Sequence, residues 1–143
     1  MKRIAVIYWS GTGNTEKMAK EIYESVKSSK VTVDMMDIGC FDTEKIKEYD
    51  AIALGCPASG NEELEESEFA PKFEEIENEL KDKKTILFGS YGWGGGSWMK
   101  EWEERCKKAG AKVINTVVCM DEPNNETIKK CRESGKNLLQ LGL

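Results

Sequence analysis

A three-layer α/β domain built on a parallel sheet is what this sequence predicts, and two observations predict it. Four apolar runs, Ile4 to Trp9, Ala51 to Cys56, Thr85 to Phe88 and Val113 to Cys119, have the length of buried strands, and a fifth from Val31 to Met36 alternates. Between the runs, apolar residues recur at steps of three and four. Strands that alternate with helices need crossover connections, which make neighbouring strands parallel and cover both faces of the sheet. A chain of 143 residues has room for one core of this kind, so residues 1–143 are read as a single domain.

Taken in order, the first run stops at the glycine-containing segment Ser10 to Thr15, and a helix opens near Thr15 or Glu16 with Met18, Ala19, Ile22 and Val26 on its inner face. The alternating run from Val31 suits the edge of the sheet, where one side is exposed. After the Ala51 strand, Phe69, Phe73, Ile76 and Leu80 mark a second helix. The Thr85 strand leads through a glycine-rich stretch to a helix with Trp98, Trp102 and Cys106 inside, and the final helix carries Ile128, Cys131, Leu138 and Leu139.

Composition excludes several chemistries. No histidine is present, which removes triads built on it and the commonest metal ligand. The formal charge of -5 comes without a basic stripe, which argues against nucleic acid. Cys40, Cys56, Cys106, Cys119 and Cys131 form no C-x-x-C pair, and their odd number argues against a disulfide framework. No apolar stretch approaches the roughly 18 residues of a membrane span or the pattern of a secretory leader, so a cytoplasmic location is expected.

In an open parallel sheet, ligands bind beyond the carboxyl ends of the strands, which directs attention to the loops after strands 1, 3 and 4. The first loop, Ser10-Gly11-Thr12-Gly13-Asn14-Thr15, places two glycines and four neutral donors at a helix N-terminus, a suitable cradle for a phosphate monoester. It is not a P-loop, because no lysine follows either glycine at the required place, and Glu16 stands where a dinucleotide fold has its third glycine. The third-strand loop contains Ser59-Gly60-Asn61-Glu62, a four-residue turn whose central pair could exist in two states related by one peptide flip; alone it also reads as an ordinary surface turn. The fourth-strand loop sets Trp93 among glycines, a stacking platform if the indole is not packed on its own domain. Together the three loops describe a site for a phosphorylated planar heterocycle.

These segments resemble the short-chain flavodoxins: Tyr8 to Thr15, Glu63 to Phe69, and Phe88 to Gly94 occur in that family's order and separations across essentially the whole chain. The resemblance implies a doubly wound five-stranded sheet of order 2-1-3-4-5 and a monomer. The function it implies is that of a low-potential electron carrier in which non-covalently bound FMN cycles between semiquinone and hydroquinone. It implies that Ser10, Gly11, Thr12, Gly13, Asn14 and Thr15 bind the phosphate, with Ser90 beside it. Pro57, Ala58, Ser59, Gly60 and Asn61 would line the flavin, Glu62 would accept from its N3-H, amides near Gly92 would meet its pyrimidine oxygen, Trp93 would stack on the outer face, and Tyr91 and Gly94 would complete the cofactor-binding set. Gly60 would be the flipping residue, so Gly60→Thr should lower semiquinone yield.

Departures from the family pattern are Ser59 where methionine is frequent, Asn61 where aspartate is frequent, and Gly95 where aspartate or serine is expected. Residues 61–80 carry nine Glu against Lys72 alone, net -8, which reads as a field opposing further negative charge on the flavin and as a docking surface for basic faces of redox proteins, a reductase as donor and a low-potential acceptor. A quinone-reducing flavoenzyme and a non-redox anion-binding module of the same fold are the alternatives.

Overall fold

A computed structural model describes residues 2–27, 30–59, 63–92 and 95–140. Five strands, β1 (Lys2–Tyr8), β2 (Val31–Asp37), β3 (Ala51–Gly55), β4 (Lys84–Tyr91) and β5 (Lys112–Met120), alternate with the helices α1 (Asn14–Val26), α2 (Phe69–Ile76), α3 (Ser97–Lys108) and α4 (Asn125–Gln140). Every strand pair is parallel and the order is β2-β1-β3-β4-β5, as the resemblance implied.

The unbroken apolar runs of β1, β3 and β4 follow from burial on both faces. The Val113 to Cys119 run, expected as a buried strand, instead lies in β5 at the sheet edge, where only Val117 and Cys119 are buried because no strand covers its outer side. Within β1, Ile4, Val6 and Tyr8 pack toward α1 and α4, meeting Met18, Ile22, Val26, Cys131 and Leu138. Ala5 and Ile7 face the opposite layer, where Phe69 and Phe73 of α2 meet Trp98 and Trp102 of α3. Both tryptophans are 2% exposed, in keeping with their reading as core. Trp102 stands edge-on to Phe69 and Phe73, with ring centroids 5.4 and 5.9 Å away.

The crossover between β2 and β3 holds no α-helix. Two 3-10 turns, Ile38–Cys40 and Thr43–Glu48, occupy it. The Asp37 and Asp42 carboxylates cap them by accepting from Gly39 N (2.7 Å) and Glu44 N (3.1 Å). Ile38, Phe41 and Ile46 close the layer that a helix would otherwise cover. Lys72 donates to the carbonyls of Ile38, Phe41 and Gly39 at 2.8, 3.0 and 3.2 Å, so the one cation of the acidic segment is engaged in holding this crossover. In α4, Ser134 is buried and accepts from Asn115 Nδ2 of β5 at 2.9 Å, an inward polar position that apolar periodicity alone does not reveal.

Four cysteines are buried and Cys40 is exposed. Burial pushes the thiols of Cys106 and Cys131 up to about 12, which leaves them protonated and unreactive near neutrality. Among the described residues no helix is long and apolar enough to cross a membrane.

Candidate cofactor site

Because all five strands run the same way, their carboxyl ends share one edge, and the order reverses on either side of β1. There a cavity of about 290 Å3 opens. Its walls come from four loops. Trp9, Gly11, Thr12 and Asn14 follow β1; Pro57, Ala58 and Ser59 follow β3; Ser90, Tyr91 and Gly92 end β4; Asp121 follows β5.

The first wall is an anion cradle. The Ser10 hydroxyl oxygen accepts from Gly13 N at 3.0 Å and Glu16 N at 3.3 Å, pulling the loop into a tight arc before α1. Gly13 caps the helix at φ 96°, a left-handed conformation that costs a residue with a Cβ about 1–2 kcal/mol. Gly13→Ala should lower stability by that amount in a denaturant titration and weaken cofactor retention in the same preparation. The amides of Gly11, Thr12, Asn14 and Thr15 find no acceptor among the described residues, and they gather at the positive end of the α1 dipole. Ser10 and Gly13 thus shape the cradle from behind, while Gly11, Thr12 and Asn14 face the cavity. Thr15 is 1% exposed and sits against β4, its Oγ1 3.5 Å from Ser90 Oγ and accepting from Ser90 N at 3.4 Å. It joins the first and fourth loops.

The second wall continues the sheet past the end of β3. Cys56 N donates to Phe88 O at 3.0 Å and Ala58 N to Ser90 O at 3.1 Å, which carries Pro57 and Ala58 alongside β4. Ser59 and Glu63 then exchange two hydrogen bonds of 2.9 Å as an isolated antiparallel bridge. The closure lies one residue beyond the Ser59 to Glu62 turn expected from sequence. Gly60, Asn61 and Glu62, together with Trp93 and Gly94, lie outside the described residues.

Two buried groups fasten this excursion. The Cys56 thiol donates to Pro57 O at 3.5 Å and accepts from Glu65 N at 3.3 Å, and burial pushes its ionisation far up. The Glu65 side chain, in a residue 5% exposed, accepts from Glu68 N (2.8 Å), Phe69 N (2.9 Å) and Ser67 N (2.7 Å), and from the Ser67 hydroxyl. Burial by itself would raise this carboxyl, but the hydrogen bonds from Ser67, Phe69 and Glu68 outweigh it and hold the group below its ordinary value. Glu65 is therefore an internal cap on α2, not the solvated field charge that the run of glutamates suggested. Glu77 is likewise engaged, paired through both oxygens with Arg105 at 2.5 and 2.9 Å, and Glu68 accepts from Trp9 Nε1 at 3.1 Å.

The third wall is braced from beneath. Trp98 Nε1 donates to Cys56 O at 3.1 Å, and its ring lies 5.7 Å from that of Tyr91. Trp9 and Asp121 were not assigned to the site from sequence. Trp9 reads as the last residue of an apolar strand, yet β1 ends at Tyr8. Asp121 follows β5, whose carboxyl end shares the edge with the others by the parallel rule, and that rule is the signal that could have found it. A second cavity of about 270 Å3, between α3 and the segment from Glu63 to Ala70, contains none of the expected site residues. Among the described residues no cluster could hold a metal ion.

A neutral amide cradle at a helix start, beside the point where strand order reverses, defines a mononucleotide-binding α/β protein. The Flavodoxin family model matches residues 6–135, and the chain belongs to that family. It is similar to the flavodoxin of Megasphaera elsdenii, 44% identical over 133 residues that cover 93% of this chain and 96% of the relative. The Clostridium beijerinckii flavodoxin is 41% identical over 136 residues, 95% of this chain and 99% of that protein. The solution structure of two-electron reduced Megasphaera elsdenii flavodoxin superposes with a TM-score of 0.85 at 42% identity, covering 94% and 98% of the two chains. The protein is accordingly an FMN-binding electron carrier.

Proposed function

We propose that residues 1–143 act as one cytoplasmic, monomeric FMN domain that passes single electrons at low potential between redox proteins and turns over no substrate of its own. The observation that supports this best is the cradle of amides that have no acceptor among the described residues, opening into a cavity between the loops after β1, β3, β4 and β5. FMN, when bound, supplies the one-electron chemistry, and the chain binds, orients and shields it. The amides of Gly11, Thr12 and Asn14 would hold the phosphate, with the Thr12 and Asn14 side chains and Ser90 beside it. Ser10, Gly13 and Thr15 fix the cradle's shape. Pro57, Ala58 and Ser59 would line one side of the ring and Tyr91 and Gly92 another. The assignments of Gly60, Asn61, Glu62, Trp93 and Gly94 to the flavin rest on the resemblance in sequence. Ser59 can offer the ring only a small polar side chain.

Purified protein dialysed against FMN should turn yellow and, in an anaerobic titration, accept two electrons in separate steps. Uptake of FMN with reduction in a single two-electron step would refute the carrier reading. Rapid turnover of NAD(P)H and a quinone with no added reductase would favour the flavoenzyme instead.

Docking by the acidic side is supported by the exposed carboxylates of Glu63, Glu66, Glu74, Glu75 and Glu79. Long-range attraction raises encounter rates and is screened by salt. With cytochrome c as a basic acceptor, Glu63→Gln combined with Glu66→Gln should slow electron delivery roughly threefold at low ionic strength and change little in high salt. Equal rates at low salt would remove these carboxylates from docking.

A further inference from the structure

The cavity of about 270 Å3 between α3 and the segment from Glu63 to Ala70 is built as a socket. Its floor is apolar, formed by the buried rings of Trp98 and Trp102 with the half-buried Leu64 and Ala70. Around the floor stand three exposed carboxylates, Glu63 and Glu66 from the segment and Glu101 from α3. None of the three is ion-paired with a described cation. Arg105 is the one cation among the described lining residues, and it is already engaged. Both Glu77 oxygens hold its guanidinium, which lies over the Phe73 ring, 4.8 Å from the centroid. Apolar walls are thus joined to negative charge that nothing in the cavity balances.

A long unbranched stem that ends in a cation matches both features. Its methylenes leave water against the tryptophan rings while its head stays among the carboxylates. A purely apolar side chain would crowd water from the carboxylates and give them no partner, and an anionic one would be repelled. The place also suits electron exchange, because Trp98 belongs to two sites at once. It forms part of the socket floor, its indole donates to Cys56 O at 3.1 Å, and its ring lies 5.7 Å from that of Tyr91, which walls the cofactor cavity. A group seated in the socket is therefore held next to that cavity.

We propose that this cavity receives a lysine or arginine side chain of the redox partner and anchors a basic partner beside the cofactor. The proposal rests on the carrier reading and names the feature of the partner that is recognised. It is distinct from attraction at a distance: steering acts on encounter and is screened by salt, whereas a filled socket acts on contact and slows dissociation.

The probe is hexylammonium, compared with hexanol, which has the same stem and no charge. Each is titrated into protein dialysed against FMN, and the indole N-H signals of Trp98 and Trp102 are followed by NMR. Hexylammonium should bind about two- to fivefold more tightly than hexanol, and Glu101→Gln should reduce that preference. Trp102 Nε1 is buried with no acceptor among the described residues, and the hexanol hydroxyl can accept from it. Equal or tighter binding of hexanol, no shift with either compound, or a preference that Glu101→Gln leaves unaltered would each overturn the proposal. Ala70→Leu, which fills the cavity, should exclude both compounds and slow electron delivery to cytochrome c about threefold at low and high salt alike. Retained binding, or delivery at the parent's rate, would do likewise. Should Ala70→Leu fail to fold, the amine-over-alcohol preference and its response to Glu101→Gln decide alone. A parent protein that takes up no FMN, or accepts electrons only in pairs, refutes the carrier reading instead, and hexylammonium binding is read independently of that outcome.

Discussion

Gly89→Ala is expected to disrupt the cofactor site from inside the sheet. A Cβ at this position would stand 2.1 Å from Cys56 O, 2.9 Å from its carbonyl carbon and 3.1 Å from the Trp98 ring. The obstructing atoms are backbone, and the same carbonyl accepts the Trp98 indole N-H at 3.1 Å. The added methyl can be housed only by moving the start of the Cys56 to Ser59 segment away from β4, which also strains the bonds from Cys56 N to Phe88 O and from Ala58 N to Ser90 O. Overpacking of a well-filled interior costs about 1–3 kcal/mol, and losses of this order among the neighbouring hydrogen bonds add to it. A fall in Tm of roughly 10 °C follows for a domain of this size. Cofactor affinity should fall further than stability alone requires, because the displaced segment is a wall of the cavity. Gly95→Ala, where an added Cβ meets nothing within 4 Å, is the control and should leave both quantities nearly unchanged. Thermal unfolding with and without FMN measures the two effects separately.

Glu65→Gln carries the second large effect. The carboxylate satisfies the amides of Ser67, Glu68 and Phe69 at the start of α2. An amide side chain has one acceptor oxygen and must turn its NH2 toward donors that cannot accept it. A loss of about 2 kcal/mol at neutral pH is expected, the usual scale for a charge-assisted cap in a buried setting. The pH dependence has a definite sign. The folded carboxyl ionises below its ordinary 4.5, so its stabilisation is present in full above that value, where both states are ionised. It is lost as pH falls through the folded value, because the unfolded chain takes up the proton first. The stability gap between parent and Glu65→Gln should therefore be widest near neutrality and narrow in acid. A gap that stayed constant or widened as pH fell would show that the cap does not depend on the carboxylate's charge. The same result would separate structure from electrostatics in any variant that neutralises Glu65 together with Glu66 and Glu68, since only part of such a variant's effect could be ascribed to the field.

The elements of the fold were legible for a physical reason. Strands buried on both faces have no polar side to display, so Ile4 to Trp9 and Ala51 to Cys56 stand out as unbroken apolar runs. The helices bury one face each, and Phe69, Phe73, Ile76 and Leu80 mark that face directly. The crossover between β2 and β3 was less legible. Its two 3-10 turns are too short for any helical period, and they are held by Asp37, Asp42 and Lys72 through backbone contacts that leave no repeat in sequence. The cradle was readable because it is local: Ser10 to Thr15 is a single stretch whose glycines and hydroxyls act where they stand.

The sequence by itself determined the class of fold and the glycine-containing loop after the first strand, because each depends on residues a few positions apart. Only the tertiary structure decided which charges act. It paired Glu77 with Arg105, turned Thr15 toward Ser90, and brought Asp121 from the last strand into a cavity begun by Trp9. Glu65 caps a helix through amides two to four positions away, but Glu77 finds its guanidinium 28 positions on and Asp121 shares a cavity with Trp9, 112 positions before it, and the packing of five strands at one edge is what sets those distant partners in place.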